Sequence, residues 1–473
     1  MTTSLSRFLD YLSNNEKVDL SKVTVNKTDT AGNGLFASHD FDSDSESNLL
    51  TIPSKLIITA QTARDFFKEN VPEVYKEINE LPGKSNTERF TILAFLVYGY
   101  TNPSKFPYQA YLDILPTVTD FKKWHALFFN DEYMQLMEGS SLAGSIEARR
   151  ENLKKELKIF LQLVPSFPED VPLKLWKWAD TIFWTRVISI GSRNNTTEIS
   201  SDSQTDCVLV PMIDFANHSL KPNVRWEIDE HGNFQLVAKD DVQIKPGDEL
   251  FLSYGDKSNQ ELLFTHGFCI PDNPTPAKLT LSAVSFLTYD ERSYREKFLW
   301  LRKIGYNDLV LTLERESQGM WHPLLKAGWD VESVKLLHLA VLSLLEDNLV
   351  FTVNEGDDEN YGDVEITFDQ VDLKDMDHFF STIKEHKDYP VHQLRTVLIL
   401  SDALEFHYNT LATAIEEDEP FGDSDLTRKH IKIYAQEELE LLFKALKIME
   451  EEKAKLAENE TVIEYLEQGE DTI

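Results

Sequence analysis

The sequence predicts an α+β protein in which a small β domain carries a helical insert and precedes a helical C-terminal region. Short apolar runs bounded by glycine or proline, typical of β-strands, occur within residues 22–55 and again within 207–253. Between about 62 and 180, and again after Pro276, apolar residues recur at helical spacing. We therefore expect a helical lead-in at 1–21, a β domain with its insert at 22–275, and a helical domain at 276–473.

The first three strands are expected at residues 23–25, 35–37 and 49–52. Gly32 and Gly34 lie between the first two strands, and because glycine readily adopts positive φ, this segment is expected to form a hairpin turn. In the insert, residues 89–98 are mainly apolar and predict a buried helix, whereas the charged segment 147–163 predicts an exposed one.

The second group of strands is expected at residues 207–212, 224–228, 234–238 and 249–253. Glycine-containing turns separate the later strands of this group. Beyond them the pattern is mainly helical, and no internal repeat is evident. In the segment 431–454 one helical face is apolar, and it carries Tyr434, Leu441, Leu442, Ala445 and Met449.

The composition narrows the class of protein. A chain of 473 residues is long enough for two domains, and a hydrophobic fraction of 41% is that of a folded protein. The net charge of -34 argues against a nucleic-acid-binding surface and against adhesion to anionic membranes. It favours basic partners, or merely high solubility. Two cysteines, Cys207 and Cys269, are too few for a disulfide framework or a thiolate zinc cluster.

The same features predict where the protein resides. The first residues lack the apolar core of a signal peptide, and no run of about 18 apolar residues could span a bilayer. Reduced cysteines fit an intracellular compartment. We expect a soluble cytoplasmic protein, with the nucleus as a second location.

Two short segments carry the chemistry of this chain. Asp214, Asn217 and His218 follow the apolar run at 208–213, and Tyr254 closes the run at 247–252. Taken singly, each has an ordinary explanation: a histidine after a strand is more often a hydrogen-bonded structural residue, Asn-His is common in turns, and a tyrosine there could belong to the core. Taken together, their order and spacing predict a shared functional site.

Other interpretations of these segments are a metal centre and a simple hairpin turn. A metal centre at His218 is not expected, because no second histidine or carboxylate occurs nearby at a ligand spacing. The turn at 32–34 is usually no more than a hairpin, although its glycines would also let the backbone approach a ligand closely. After Tyr254, residues 256–268 are expected to form a capped helix that ends in glycine and Phe268.

In this order the segments resemble the SET-domain lysine methyltransferases of the Rubisco large-subunit methyltransferase type. The resemblance runs nearly end to end and is most specific at 214–218 and 254–268; the other matching segments are 32–37, 50–53, 111–116 and 184–193. It implies a SET-domain β core in which two segments thread through each other as a pseudoknot. It also implies an all-α C-terminal substrate-binding domain. The cysteine-rich zinc segments of histone-modifying relatives are absent from this sequence.

The resemblance also implies a role for each site residue. S-adenosylmethionine would be the cofactor, Tyr254 the catalytic tyrosine beside the methyl-transfer channel, and Phe268 the ring that packs on the adenine. The cofactor-binding residues that it implies are Gly32, Asn33, Gly34, Leu35, Arg193, Asp214, Asn217, His218, Tyr254 and Phe268. Asp214 has no defined role in this set, and Asn33 is a looser match than its neighbours.

The implied reaction transfers a methyl group to the ε-amine of a lysine in a non-histone protein. Ribosomal proteins and translation elongation factors are basic and are targets of related enzymes, and a charge of -34 attracts a basic substrate. The resemblance together with the charge makes a ribosomal protein the first candidate and a translation elongation factor the second. Family analogy indicates a monomer, and no direct contact with nucleic acid or membrane is expected.

Three alternatives remain open. A related group methylates a histidine of actin and commonly has an arginine three residues after the tyrosine; Lys257 stands there in this chain, which favours lysine without excluding histidine. The second alternative is an inactive SET scaffold that only binds a partner. The third is an acidic interaction protein in which the motifs coincide by chance, and the agreement of several motifs in order argues against it.

Overall fold

The structure, a computed structural model, describes residues 3–28, 31–41, 48–81, 84–190, 206–240, 242–288, 291–314, 321–342, 349–354, 363–418 and 425–470. The chain divides into two compact units. The first consists of Met1–Asn130, Ile146–Lys257 and Glu261–Phe268, and the second of Asp131–Ser145, Ser258–Gln260 and Cys269–Ile473. The two sets of ranges interleave, whereas the sequence pattern places a single boundary after residue 275. Among the described residues, no helix has the length and apolar character needed to cross a membrane.

The first part of the chain contains several small sheets rather than one large sheet. Its strands are β1 (Val23–Lys27), β2 (Asn33–Ala37), β3 (Asn48–Ile52), β4 (Ile188–Ile190), β5 (Asp206–Val208), β6 (Asn217–His218), β7 (Val224–Ile228), β8 (Phe234–Ala238) and β9 (Phe251–Leu252). β1 and β2 form an antiparallel hairpin, β8 lies between β3 and β7, β4 pairs with β5, and β6 pairs with β9.

The predicted glycine hairpin is confirmed, with one shift in position. In the hairpin Lys27 pairs with Asn33, and Gly32 has a φ of +80° in the turn before β2. Gly34 was expected in the turn but lies within β2, where it pairs with Asn26. A turn pattern gives the approximate place of a reversal, whereas the register of the strand pairs decides which residue leaves the ladder.

Helices precede, separate and follow the two groups of strands. They are α1 (Ser4–Asp10), α2 (Ala60–Asn70), α3 (Pro72–Asn79), α4 (Lys84–Thr101), α5 (Gln109–Leu112), α6 (Val118–Trp124), α7 (Asp131–Gln135), α8 (Ser141–Leu163), α9 (Leu173–Arg186) and, after β9, α10 (Asn259–His266). Thr59 caps α2 by accepting a hydrogen bond from the backbone N–H of Thr62. The predicted buried helix at 89–98 is confirmed by α4, in which Ile92, Phe95 and Val97 have no exposed surface.

A buried ion cluster joins three helices of the first unit. The carboxylate of Asp180 in α9 is fully buried and contacts Arg89 of α4 and Arg149 of α8. Arg89 also forms an ion pair of 2.8 Å with Glu156 of α8. Two cations and two carboxylates therefore compensate each other where the helices meet, which a single buried charge could not achieve.

The second unit is mixed rather than purely helical in its first half. Its strands are β10 (Lys278–Ser282), β11 (Val310–Glu314), β12 (Leu349–Asn354), β13 (Asp363–Phe368) and β14 (Val371–Asp372). β10 pairs with β11, and β12, β13 and β14 form a three-stranded sheet. The expectation of an all-α region is therefore wrong here. β10 and β11 are only five residues long each, and their alternating pattern is a weak signal in the sequence. The longer helical runs around them dominated the sequence pattern.

The helical half of the prediction is confirmed. The helices of the second unit are α11 (Val284–Leu287), α12 (Tyr294–Lys303), α13 (Pro323–Lys326), α14 (Val331–Val341), α15 (Met376–Glu385), α16 (Tyr389–Glu416), α17 (Leu426–Ala457) and α18 (Glu460–Glu470). The residues predicted to share one face in 431–454, among them Tyr434, Leu442 and Met449, are buried in α17. The protein is thus α+β, with small sheets followed by a helical C-terminal region.

Candidate active site

The shortest strand pair of the first unit brings the two motif segments together. β6 and β9 pair in parallel, with Asn217 opposite Phe251 and His218 opposite Leu252. Tyr254 lies just beyond β9, and its backbone N–H donates a hydrogen bond of 3.0 Å to Nδ1 of His218. Gly255 follows with a φ of +95°, so the chain turns away at that point as its sequence predicts.

The side chain of Tyr254 faces the segment before β6. Its hydroxyl donates a hydrogen bond of 3.1 Å to the carbonyl oxygen of Ala216, and its ring centroid lies 5.2 Å from that of His218. Burial raises the pKa of Tyr254 to about 12; Arg186 opposes this shift, and the carboxylates of Asp214 and Glu249 add to it. The phenol is therefore neutral near pH 7, and its oxygen keeps lone pairs that can accept a hydrogen bond.

A buried ion pair holds the segment that leads into β6. Oδ2 of Asp214 accepts hydrogen bonds of 2.6 Å from the Tyr111 hydroxyl and 2.7 Å from Nη1 of Arg186. Burial and the Asp214 carboxylate raise the pKa of Tyr111 well above its usual value, so this phenol stays protonated and donates. Met212 has a φ of +78° directly before the turn Ile213–Phe215, a strained conformation for a non-glycine residue. The cluster and the bend together fix where the carbonyl of Ala216 points.

The predicted glycine segment meets a carboxylate that the sequence analysis missed. Oε1 of Glu249 accepts a hydrogen bond of 2.7 Å from Nδ2 of Asn217. The same oxygen lies 2.7 Å from the position that a Cβ on Gly34 would occupy. The backbone N–H of Leu250 donates to the carbonyl oxygen of Leu35 at 2.7 Å, which ties the two segments together. Glu249 therefore lies between the glycine strand and the Asn-His strand.

The turn before β2 leaves polar groups available to a ligand. Around Gly32 there is open space, since no described atom lies within 4 Å of the position of an added Cβ. Oδ1 of Asn33 is buried and has no hydrogen-bond partner among the described residues. A buried acceptor without a partner is costly, so its place beside Gly32 marks a position where a donor from a ligand would be stabilised.

An aromatic wall completes the site, and part of it was not predicted. The ring of His266 lies 4.8 Å from that of Tyr254 and 6.2 Å from that of Phe268, whose ring in turn lies 6.1 Å from His218. His266 lies within the segment 256–268 that the sequence analysis singled out, but no role was assigned to it. Phe268 is half-buried, so one part of its ring remains open to a planar ligand.

Helix α6 and the residues after it hold this wall in position. Nε2 of His125 lies 3.1 Å from the carbonyl oxygen of Thr265, and Nδ1 of His125 accepts from the backbone N–H of Leu127. These two contacts define a neutral tautomer with the proton on Nε2. Gly267 has a φ of +77°, and a Cβ there would meet Trp124 at 2.5 Å. A glycine is therefore required where the chain passes Trp124 to reach Phe268.

The electrostatics of the site favour neutral groups. Burial, together with the charge of Lys257, lowers the pKa of His266 to about 3. Burial and Lys257 also lower the pKa of His218, against the opposing effect of Asp256. Both imidazoles are therefore uncharged near pH 7. A cationic group introduced at this place would experience the same desolvation and the same charge of Lys257.

The remaining predicted residues are placed as follows. Leu35 is fully buried in β2, where it belongs to the core, and Arg193 lies outside the described residues. Within the part of the chain that the structure describes, no three side chains of the metal-ligating types come close enough to hold a metal ion. Tyr111, Arg186, Glu249 and His266 are the residues that sequence reasoning did not assign to the site.

The fold and this site define the class of the protein. Residues 32–255 match the family model described as the SET domain, a span that begins at the glycine turn and ends just after Tyr254. The chain therefore contains a SET domain over these residues.

Known proteins resemble it in sequence and in fold. The chain is 27% identical over 228 residues to the ribosomal lysine N-methyltransferase set10 of Schizosaccharomyces pombe, which covers 48% of this chain and 38% of that protein. It is 25% identical over 244 residues to the actin-histidine N-methyltransferase of Danio rerio, covering 51% of this chain and 38% of that protein. The chain thus spans well under two thirds of the length of these two relatives.

The likeness in fold extends beyond the SET domain. The solved structure of Rubisco LSMT bound to AdoMet is similar with a TM-score of 0.64 at 18% identity, covering 96% of this chain and 93% of that one. At this level of identity the likeness establishes the fold alone. The predicted similarity to the Rubisco large-subunit methyltransferase type is confirmed in that sense.

The residues of the site fit the cofactor of this class. SET domains use S-adenosylmethionine, which carries an ammonium, a carboxylate, a sulfonium and an adenine. The open backbone at Gly32 and the unpartnered oxygen of Asn33 suit the polar end of such a molecule. The carboxylate of Glu249 suits a cation, and the half-buried ring of Phe268 suits the adenine.

Proposed function

We propose that this chain is an S-adenosylmethionine-dependent protein-lysine N-methyltransferase that acts on a basic, non-histone protein. The observation that carries the proposal is the arrangement around Tyr254. Its hydroxyl is bonded to the carbonyl of Ala216 and its backbone to His218, while the span from the glycine turn to this tyrosine matches the SET domain. The proposed domains are the SET domain at 22–275, with its insert at about 62–180, and a substrate-binding domain at 276–473.

Each predicted residue has a proposed task toward the cofactor. When bound, S-adenosylmethionine supplies a methyl group on a positively charged sulfur. The backbone at Gly32–Leu35 and the side chain of Asn217 would hold its methionine part, with Glu249 facing the ammonium. His218 would contribute to the same binding site. Phe268 would pack on the adenine. Arg193 stays a proposed cofactor ligand, and Asp214 is proposed to act by positioning the backbone before Asn217.

The protein residues are suited to accept a target amine. A lysine must lose a proton before it can act as a nucleophile, and from a reference pKa near 10.4 this costs about 4–5 kcal/mol at pH 7. Desolvation beside Tyr254 and His266, together with the charge of Lys257, would lower the pKa of an amine there as it lowers that of His266. The lone pairs of the Tyr254 oxygen would then orient the neutral amine. No dedicated general base is needed.

For the substrate we favour a ribosomal protein, with a translation elongation factor as the second choice. The relative set10 is named as a ribosomal lysine N-methyltransferase, and a net charge of -34 would attract a lysine-rich protein. This proposal also implies a monomeric enzyme of the cytoplasm, with the nucleus as the alternative location.

A histidine target is the second candidate, because another relative is an actin-histidine N-methyltransferase. The neutral surroundings of Tyr254 would suit an imidazole as well as an amine. Lys257, at the position where actin-specific relatives commonly carry arginine, favours lysine.

The test uses labelled S-adenosylmethionine and a lysate from cells that lack this protein. Wild type, Tyr254→Phe and the control Tyr75→Phe, a half-buried tyrosine of the same unit, are compared. We expect one labelled band with wild type and with the control, and a signal reduced by about a hundredfold with Tyr254→Phe. Hydrolysis of the band then separates methyl-lysine from methyl-histidine. Cofactor binding without any labelled protein would favour the inactive scaffold.

A further inference from the structure

A large cavity opens in the second unit beside the C-terminal half of α16. Its volume is about 840 Å³, which falls in the range of ligand-binding clefts. Every lining residue belongs to the second unit. The lining comes from α7 and the residues after it, from α16 and the residues after it, and from the start of α17: Glu132, Gln135, Leu136, Glu138, Phe406, Asn409, Thr410, Thr413, Ala414, Glu417, Asp418 and Arg428.

Close contacts fix the backbone segments around this cavity. Gly139 has a φ of +83°, and a Cβ there would meet the backbone nitrogen of Leu411 at 2.7 Å. The carbonyl oxygen of Gly139 lies 2.8 Å from Nδ1 of His407. Just beyond, the backbone N–H of Ser141 donates a hydrogen bond of 2.8 Å to the buried carboxylate of Glu438. The segment after α7 is thus held against α16 and α17, and the cavity has a defined shape.

The charge inside the cavity is negative. The one cation of its lining, Arg428, is buried and already contacts the carboxylates of Glu132 and Asp418. Glu138 and Glu417 are exposed, and neither forms an ion pair with another described residue. These two carboxylates therefore project an uncompensated field into the cavity, which repels anions and attracts cations.

An aromatic ring and neutral polar groups complete the lining. Phe406 is 69% exposed, a high value for a large apolar side chain. A lysine or arginine side chain can lie across the face of such a ring and gain a cation–π interaction. Asn409, Thr410 and Thr413 lie on the same helix. The two threonine hydroxyls donate to carbonyls of that helix and keep lone pairs that can accept from a peptide N–H, whereas the amide of Asn409 carries both a donor and an acceptor.

We propose that this cavity binds a short lysine- or arginine-rich segment of the protein substrate. A cationic chain matches all three features of the lining: the carboxylates of Glu138 and Glu417, the exposed ring of Phe406, and the row of amide and hydroxyl groups on α16. The occupant is assigned to the substrate on the basis of the proposed function. The cavity itself predicts only the chemistry of the segment.

The experiment measures binding without cofactor and without methyl transfer. The probe is a fluorescent peptide of about ten residues in which lysine alternates with glycine, and its anisotropy is followed with the full chain at low salt. The test variant is Glu138→Lys with Glu417→Lys. The matched control is Glu464→Lys with Glu467→Lys, two exposed residues of the same unit that undergo the same change in charge.

We expect the cavity variant to weaken binding about tenfold and the control variant less than about twofold, because charge near a site acts more strongly than charge elsewhere. Phe406→Ala should weaken binding about threefold. An equal loss of peptide affinity in both charge variants would overturn the proposal, since it would show that only the net charge of the protein matters. Equal binding of a glutamate–glycine peptide, or equally tight binding of spermidine, would overturn it as well.

The outcome is independent of catalysis. Tyr254→Phe should bind the peptide as wild type does, because Tyr254 lies in the first unit. If the peptide binds in the cavity but no lysate protein is methylated, the proposed enzyme activity fails and the cavity stands. If methylation occurs while the cavity variant binds the peptide normally, the proposal for the cavity fails.

Discussion

Tyr111 donates a hydrogen bond of 2.6 Å to Asp214 across 103 positions of the chain. Asp214 stands two residues before Ala216, whose carbonyl accepts the hydroxyl of Tyr254. Arg186 bonds the same carboxylate oxygen at 2.7 Å, so the insert and the helix before β4 both hold this turn. We therefore expect the orientation of Tyr254, the proposed active-site tyrosine, to depend on a buried cluster that forms no hydrogen bond with it.

Tyr111→Phe tests this dependence. The change removes one donor to a buried carboxylate and should lower the free energy of unfolding by about 1–3 kcal/mol. Because the turn before Ala216 loosens, turnover should fall about tenfold while cofactor affinity changes less than about threefold. Calorimetry and steady-state kinetics measure the two effects.

Tyr108→Phe is the matched control, because its hydroxyl donates to the carbonyl of Lys55 at 3.0 Å, away from the turn. The control should lose stability but keep turnover. If both variants lose turnover in proportion to stability, the link between Tyr111 and Tyr254 is refuted.

Gly34→Ala tests the close approach of Glu249. The new Cβ would meet Oε1 of Glu249 and Cγ2 of Thr28 at 2.7 Å, so one of these groups must move. Such overpacking should cost about 1–3 kcal/mol of stability and weaken cofactor binding. Gly144→Ala in α8 meets no atom within 4 Å and should be neutral or stabilising. The unfolding temperatures of both variants measure this effect. An unchanged unfolding temperature for Gly34→Ala would show that Glu249 and Thr28 move aside at no cost.

Glu249→Gln tests the charge at the glycine strand. Glutamine can still accept the hydrogen bond from Asn217, so the variant removes mainly the negative charge. If Glu249 faces the ammonium of the cofactor, the dissociation constant of the cofactor should rise about five- to tenfold in this variant. Calorimetric titration with S-adenosylhomocysteine measures it.

The neighbouring Asp248 provides the control. Its carboxylate accepts from the backbone N–H of Lys245 at 2.8 Å at an exposed turn, so Asp248→Asn should leave cofactor affinity within about twofold. Similar losses in the two variants would point to the general acidity of the segment instead of Glu249.

The buried His125 predicts acid sensitivity. Burial lowers its pKa from the usual 6.5 to about 4, so between these values the unfolded chain binds a proton that the folded chain does not. Stability is therefore lost as pH falls through 6.5, and the full contribution is about 3 kcal/mol. His125→Gln keeps a donor for the carbonyl of Thr265 and removes the titration.

The measurement compares unfolding midpoints at about pH 7.5 and pH 5. The acid-induced decrease in wild type should be larger than in His125→Gln by a few degrees. His39→Gln, a change at an exposed histidine of the same unit, should retain the wild-type decrease. An identical decrease in all three proteins would rule out His125 as a source of the effect.

Local sequence patterns predicted much of the architecture. The hairpin around Gly32, the buried helix at 89–98 and the long amphipathic α17 follow from backbone preferences and from the spacing of apolar residues. The strands β10 and β11 were not predicted, because five alternating residues are a weak signal beside long helical runs. The interleaving of the two units could not be read from composition, because it depends on which distant segments pack together.

In the candidate site, too, some residues could be predicted from the sequence and others could not. Tyr254, Asn217 and His218 were predicted because the order of residues around them is specific. Glu249 and Tyr111 were not assigned to the site, since an isolated acid or phenol carries no local pattern.

Their partners lie far away in sequence. Glu249 reaches Gly34 and Tyr111 reaches Asp214 only after the strands and the insert have packed. The sequence thus specifies which groups can perform the chemistry, because side-chain type and local backbone geometry are properties of short segments. Which of these groups meet, at what distance and with what charge around them is determined by packing between segments that are remote along the chain.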